Sequence, residues 1–134
     1  MSSVPVFVQT PKIVSIQMTA STSAQPIFTA GTAEKIVAVL VTSSEATLAR
    51  VISLSYTRGG TTFTLTSASV PAKSGTDGVT TTIDLLSSVL IPGLPIDNDG
   101  QRYFFLQNGD VLNATSSTAP TAAAIHVTGI YADF

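Results

Sequence analysis

Apolar and polar residues alternate along most of this chain with a period of two. In "KIVSIQMT" Val14, Ile16 and Met18 share one face while Ser15 and Gln17 share the other, the signature of a strand buried on one side. "EKIVAVLVT", starting at Glu34, is apolar on both faces and predicts a central strand covered on both sides. Alternation resumes through Leu48, Arg50, Ile52, Leu54 and Tyr56, breaks at "RGG", and continues in "TTFTLTSASV" with Phe63 and Leu65 in phase. Two alternating runs about a Gly-Gly pair predict a hairpin. Thr and Val suit both runs because branching at Cβ fits a pleated surface.

The remaining segments are shorter. "KSGTDG" predicts a loop, and "VTTTIDLL" a strand unless "DLLSSVLI" forms one helical turn instead. Pro92 and Pro95 frame an irregular crossing without a backbone donor at either proline. "QRYFFLQ" and "DVLNATSS" then flank a turn at residues 108–110, where Gly109 can take a positive φ, and "AAAIHVTGIYADF" closes the chain with Ile125, Val127 and Tyr131 on one face. Past Ala114, the small residues of "TSSTAPTAAA" offer little to pack and predict a connection at one end of the fold. About eight short strands separated by turn signals predict an all-β protein, an antiparallel two-sheet β-sandwich of jelly-roll-like type. No fixed-period repeat points to a solenoid or propeller.

Residues 12–134 read as a single sandwich domain and residues 1–11 as an N-terminal arm or an edge strand. Pro5 and Pro11 keep that segment out of a central strand, yet "VPVFV" is too apolar to be left in water. Val4, Val6, Phe7 and Val8 are therefore candidate contacts to a neighbouring subunit by edge-strand addition.

Composition narrows the function classes. Of 134 residues only 10% are charged, with six Lys and Arg against eight Asp and Glu for a net charge of −2. The cations Lys12, Lys35, Arg50, Arg58, Lys73 and Arg102 are scattered singly, whereas a nucleic-acid binder clusters them to displace counterions, so no nucleic-acid partner is expected. So few charges on one domain point to a surface that is either covered in an assembly or polar through Ser and Thr alone. The longest unbroken apolar run, "IVAVLV", is far short of a helical membrane span, and no signal-peptide core precedes Lys12; neither a membrane partner nor secretion by that route is expected. There is no cysteine, hence no disulfide framework and no thiolate nucleophile.

Candidate chemistry is sparse. "DNDG", residues 97–100, has carboxylates at alternate positions beside Gly, but a calcium loop begun at Asp97 needs Gly sixth and Glu twelfth where this chain has Arg102 and Asn108. An Asx-rich turn is the expectation, with no metal. His126 is the only histidine, out of phase with Ile125 and Val127, and so belongs on the more polar face without a partner motif. Asp84, Asp110 and Asp133 are a formal pool for a glycosidase pair, with no spacing to recommend one. No catalytic residue, cofactor or enzyme activity is assigned. "NAT", residues 113–115, is a formal glycosylation acceptor without a secretory context. In Tyr103, Phe104 and Phe105 rings fall on both faces of one strand; with Tyr103 and Phe105 inward, Phe104 is either loop-covered or a partner contact.

"EKIVAVLVTSSEATLARVISLSY", the mid-chain crossing, "LQNGDVLNATSST" and the closing "IHVTGIYADF" together resemble the small β-sandwich virion proteins of tailed bacteriophages, the decoration or cement proteins and their neck and tail relatives. The resemblance covers residues 34–134 and rests on strand order and a Gly-Asp-Val-Leu turn. It implies a homo-oligomer in the virion, assembled in the host cytoplasm, that bridges capsomers of the mature shell and touches the major capsid protein or neighbouring virion proteins. The arm residues Val4, Val6, Phe7 and Val8 would then dock on a neighbouring subunit or on the capsid. A neck, collar or tail protein of the same fold is the alternative reading. A carbohydrate- or receptor-binding module is a further one, disfavoured by the lack of Trp.

Overall fold

A computed structural model describes residues 11–98 and 100–133, with the backbone alone at Asp133. The candidate contacts Val4, Val6, Phe7 and Val8 lie outside the described residues. Every regular element among the described residues is a strand: β1 (Pro11–Gln17), β2 (Gln25–Thr29), β3 (Glu34–Ser43), β4 (Arg50–Arg58), β5 (Thr61–Val70), β6 (Ile83–Asp84), β7 (Phe104–Leu106), β8 (Val111–Ser116) and β9 (Ile125–Asp133).

These form two antiparallel sheets. One runs β1-β9-β3-β6, with β7 also paired to β3, and the other runs β2-β8-β4-β5. β6 pairs with Leu40 and Val41 of β3, and β7 pairs with Glu34, Lys35 and Ile36, so the two short strands share one lane beside β3. Counting that lane once leaves eight strands in two four-stranded sheets, and apart from the β4–β5 hairpin successive strands cross between the sheets in the order of a jelly roll. The predicted fold class is the observed one.

The core lies between the inner faces. Ile36, Val39 and Val41 of β3 and Val127 of β9 face Ile52 and Leu54 of β4 and Leu112 of β8, all of them buried. Burying such a side chain contributes about 1.5–3 kcal/mol, and this apolar contact is what holds the two layers together. Two aromatic pairs reach across the layers: Phe28 stacks on Tyr131 with centroids 4.6 Å apart, and Tyr56 meets Phe104 at 5.3 Å. The hairpin β4–β5 turns through Gly59 and Gly60, both at positive φ (58° and 81°), the two-residue turn whose twist matches the strands it joins.

Single-residue bulges alter the phase read from the sequence. In β3 the pairing with β9 shifts between Ile36 and Ala38. Past it Val39 and Val41 face inward, while Ala38 and Leu40 lie half-buried on the outer face. β3 is thus central but, among the described residues, covered on one side only, because its outer face carries no second layer there. In β5 the register shifts between the partners of Leu54 and Ser55, so Leu65 is the extra residue. Phe63 then shares a face with Tyr56, and Ala68 and Val70 point inward after the shift. "DLLSSVLI" contributes only Asp84 to β6 and continues as turns, including an amide of Ile91 donating to the carbonyl of Ser87 at 2.9 Å.

Candidate assembly surfaces

The charged side chains, taken one by one, are used to tie the fold. Glu45 is buried in the loop after β3, where its carboxylate accepts Arg50 Nη2 at 2.8 Å and Nε at 3.2 Å and the amide of Thr121 at 2.7 Å. It thereby fixes the "TSSTAPTAAA" connection at one end of the sandwich. Hydrogen bonding from Thr121 holds the Glu45 carboxyl below the usual carboxylate range, against the opposing effect of burial and with help from Arg50. At the other end Asp110, also buried, accepts Arg58 Nε at 2.9 Å, Arg58 Nη2 at 2.5 Å and the amide of Gln107 at 2.9 Å. The Arg58 hydrogen bonds depress the Asp110 carboxyl, burial opposes them, and the Gln107 amide assists. Gly109, at φ 90°, makes the turn that presents this carboxylate.

Lys35 pairs with Asp97 and lies 5.1 Å from the Tyr103 ring, while Arg102 donates to the carbonyls of Leu86 and Ile91. Lys12 sits over the Tyr131 ring. Five of the six cations are therefore engaged within the fold.

The candidate chemical residues are not brought together. Asp97 accepts the amide of Gln101 at 2.9 Å and its own carbonyl accepts Gly100, an Asx-type turn; no group of three or more His, Asp or Glu side chains among the described residues could hold a metal. Asp84 accepts the amide of Val39 on the neighbouring strand at 3.3 Å and the local amide of Leu86 at 3.0 Å, and so belongs to a different part of the fold from Asp110. The side chain of Asp133 lies outside the described residues. His126 is exposed on the outer face of the first sheet, where its Nε2 bonds the carbonyl of Ala123 at 3.0 Å. Asn113 is buried, donating to Thr57 Oγ1 at 3.1 Å and to the carbonyl of Val111, so its amide cannot accept a glycan.

No protein-family model and no curated protein matches the chain. Two crystal structures of a pentameric capsid protein isolated from metagenomic phage sequences are similar in fold. Each is 18% identical with a TM-score of 0.43, and the alignment spans 96% of this chain and 70% and 62% of the two structures.

What remains as candidate site is apolar surface. On the outer face of the β1-β9-β3 sheet, cross-strand pairing sets Ile13, Ile130 and Ala38 in one row, with Leu40 in the next beside Thr128 and Ser15. Ile13 is 71% exposed. The far end of the same face carries Gln17, His126 and Thr42, so the apolar character is confined to one half. The outer face of the other sheet is of a different kind. Its hydroxyls pair with one another, Ser53 with Ser67 at 2.6 Å and Thr57 with Thr62 at 2.9 Å.

The aromatic strand reverses the premise under which Phe104 was a partner contact. Phe104 pairs with inward-facing Ile36 and packs half-buried on Tyr56, and Phe105 is the outward ring, 38% exposed. Leu106, fully buried and in phase with Phe104, was the signal in the sequence that anchors this choice. Ile13 was legible as the residue out of phase with Val14 and Ile16, an apolar side chain on the polar face of its strand.

Proposed function

We propose that this chain is a structural subunit of a tailed-phage virion, a decoration or cement protein that bridges capsomers of the mature shell. The observation that carries the reading is the apolar row Ile13, Ile130 and Ala38 on the outer face of a sheet whose two lysines, Lys12 and Lys35, are engaged within the fold. Exposed Ile13, flanked by half-buried Ile130 and Ala38, is an apolar contact surface on a rigid sheet, low in entropy cost because χ1 of the two isoleucines is stiff. The jelly roll supports the reading as a fold frequent among viral capsid domains, an analogy of architecture only. The partners are further copies of this chain and the major capsid protein or neighbouring virion proteins, in particles assembled in the host cytoplasm. A cement protein acts by mass action: contacts available only on the expanded shell stabilise that shell. No catalysis is assigned. The mutual pairing of the Ser and Thr hydroxyls, together with the lack of Trp, speaks against a sugar-binding face on the second sheet.

The test is to purify particles, separate heads from tails, and quantify this chain against the major capsid protein. Many copies tracking the heads in a simple ratio are expected. A few copies tracking the neck or tail would assign it there instead, and absence from particles would overturn the virion reading.

A further inference from the structure

We infer that the open edge of the sandwich, between β5 and β6, receives residues 4–8 of a second copy of this chain as an added strand, an inference that rests on the reading of the chain as a self-assembling virion subunit. Among the described residues β5 is paired on one side only, to β4. It is ten residues long, "TTFTLTSASV", with no charge and no proline. Proteins ordinarily blunt such edges with charge, proline, brevity or bulges, and here only the bulge at Leu65 does so, leaving Thr66 to Val70 regular.

Facing that edge, β6 offers just two residues, and between the two strands lies a groove of about 570 Å³ lined by Ala68, Ser69, Ile83, Val89 and Leu90. Val89 is 88% exposed at its rim. The one charged side chain on the lining, Asp84, already accepts the amides of Val39 and Leu86, so what the groove asks of an occupant is apolar side chains and a backbone to pair.

The segment before Pro11 has that chemistry. Residues 1–11 contain no charged side chain, and in "VPVFV" Val4, Val6 and Val8 alternate, which points three branched apolar side chains to one face of a strand. Pro5 and Phe7 then face away from the groove. Proline is tolerated on a strand that pairs along one edge.

Reach decides between the chain's own groove and a neighbour's. Pro11 begins β1, at the opposite edge of its sheet from β6. The lane of β6 lies three strand spacings away, roughly 14 Å across, and its level at Leu40 is about five residues, roughly 16 Å, from that of Lys35 and Pro11. A straight path is thus about 21 Å, and ten extended residues span at most about 33–36 Å. Folding home would spend six or seven of the ten residues on the crossing and carry Val8 and Val6 past the sheet before pairing begins. A groove on an adjacent copy imposes no such crossing.

The chain has no native cysteine, which makes cross-linking clean. Ala68→Cys is made alone, and V4C, V6C and V8C are made alone as a scan of register; the chains carry distinguishable mass tags and are mixed pairwise under mild oxidation. Cross-strand neighbours bring Cβ atoms to within about 4.5–5.5 Å, close to disulfide geometry. The expected result is a disulfide between Ala68→Cys and one or two of the three arm variants, necessarily between molecules, in excess of either homodimer. Removing residues 1–10 should also raise the concentration for half-assembly by about tenfold or more. Three results overturn the inference: a disulfide formed only within one molecule when Ala68→Cys and one of the arm cysteines are placed in the same chain, an Ala68→Cys homodimer as the main product of the mixtures, or no cross-link in any mixture. If the full chain assembles and the chain lacking residues 1–10 assembles equally well, the arm contact is wrong while self-assembly stands. A full chain that is monomeric at all concentrations removes both.

Discussion

Replacing Ile13 separates assembly from folding. Its side chain is 71% exposed on the outer face of β1, so it adds little to the stability of the isolated chain, and Ile13→Ser should change unfolding free energy by no more than about 0.5 kcal/mol. The reserve that a partner can still bury is large. Full burial of an Ile is worth about 1.5–3 kcal/mol, and with 71% of it still accessible roughly 1–2 kcal/mol remains for an interface. At 1.4 kcal/mol per factor of ten, Ile13→Ser should weaken attachment about tenfold. Ile13→Asp should weaken it further, since a carboxylate would have to be desolvated without a partner. The assay pairs urea denaturation of the purified chain with titration onto particles stripped of it. Unchanged attachment of both variants, with folding intact, would refute the assignment of this face. A large loss of stability would mean that Ile13 is packed within its own fold.

Val39→Asp should abolish folding, because an unpaired carboxylate in the core costs several kcal/mol, while Leu40→Asp on the half-buried outer face should leave a cooperative melting transition; circular dichroism distinguishes them. Gly75→Ala should cost more than Gly78→Ala although both sit at φ near 75°, since a Cβ at Gly75 would fall 2.5 Å from Thr82 Oγ1 and 2.8 Å from Thr42 Cγ2 and one at Gly78 meets open space; about 1–2 kcal/mol for backbone alone against a further 1–3 for overpacking is the expected gap in urea. Asp110 and Glu45 both titrate below their ordinary range in the folded chain. Their stabilising contribution is therefore complete above the unfolded values near 4 and is lost as pH falls through the lower folded values, so Asp110→Asn should flatten the acid limb of stability below about pH 4, and a steeper limb would contradict the pairing with Arg58.

Much of the fold was legible because the alternation reports burial directly. Ile52, Leu54, Val127 and Val14 sit on the faces that their phase assigned. What was not legible are the points where one residue is inserted without a change in composition. Val37 and Leu65 are ordinary strand residues, and nothing local marks them as bulges; only the partner strand, far away in sequence, sets the register that leaves them over. Which ring of β7 turns inward stayed open for a related reason: three residues paired to β3 are too few for periodicity to choose a face, and the choice is made by Ile36 and Tyr56. The pairing of Arg58 with Asp110 was equally hidden, since the two are 52 residues apart and meet only when β8 pairs with β4.

The candidate docking edge follows from the same interruption. In a jelly roll the lane beside β3 is normally one strand, long enough to lie along the neighbouring edge of the opposite sheet. Here the chain leaves that lane after Asp84, buries Leu85 and Leu86, anchors the excursion by Arg102 on the carbonyls of Leu86 and Ile91, and returns only at Phe104. The return restores the lane opposite Ile36, where Phe104 reaches Tyr56 and closes that end of the sandwich. Opposite Leu40 it leaves two residues, so the regular half of β5 from Thr66 to Val70 faces a groove instead of a strand. Backbone groups on such an edge are satisfied by water or by another chain, and an apolar floor makes the second the more favourable state when a neutral, alternating segment is held nearby at high local concentration. The excursion between β6 and β7 is thus the feature that leaves this edge open, and the inferred uptake of a neighbour's arm depends on it.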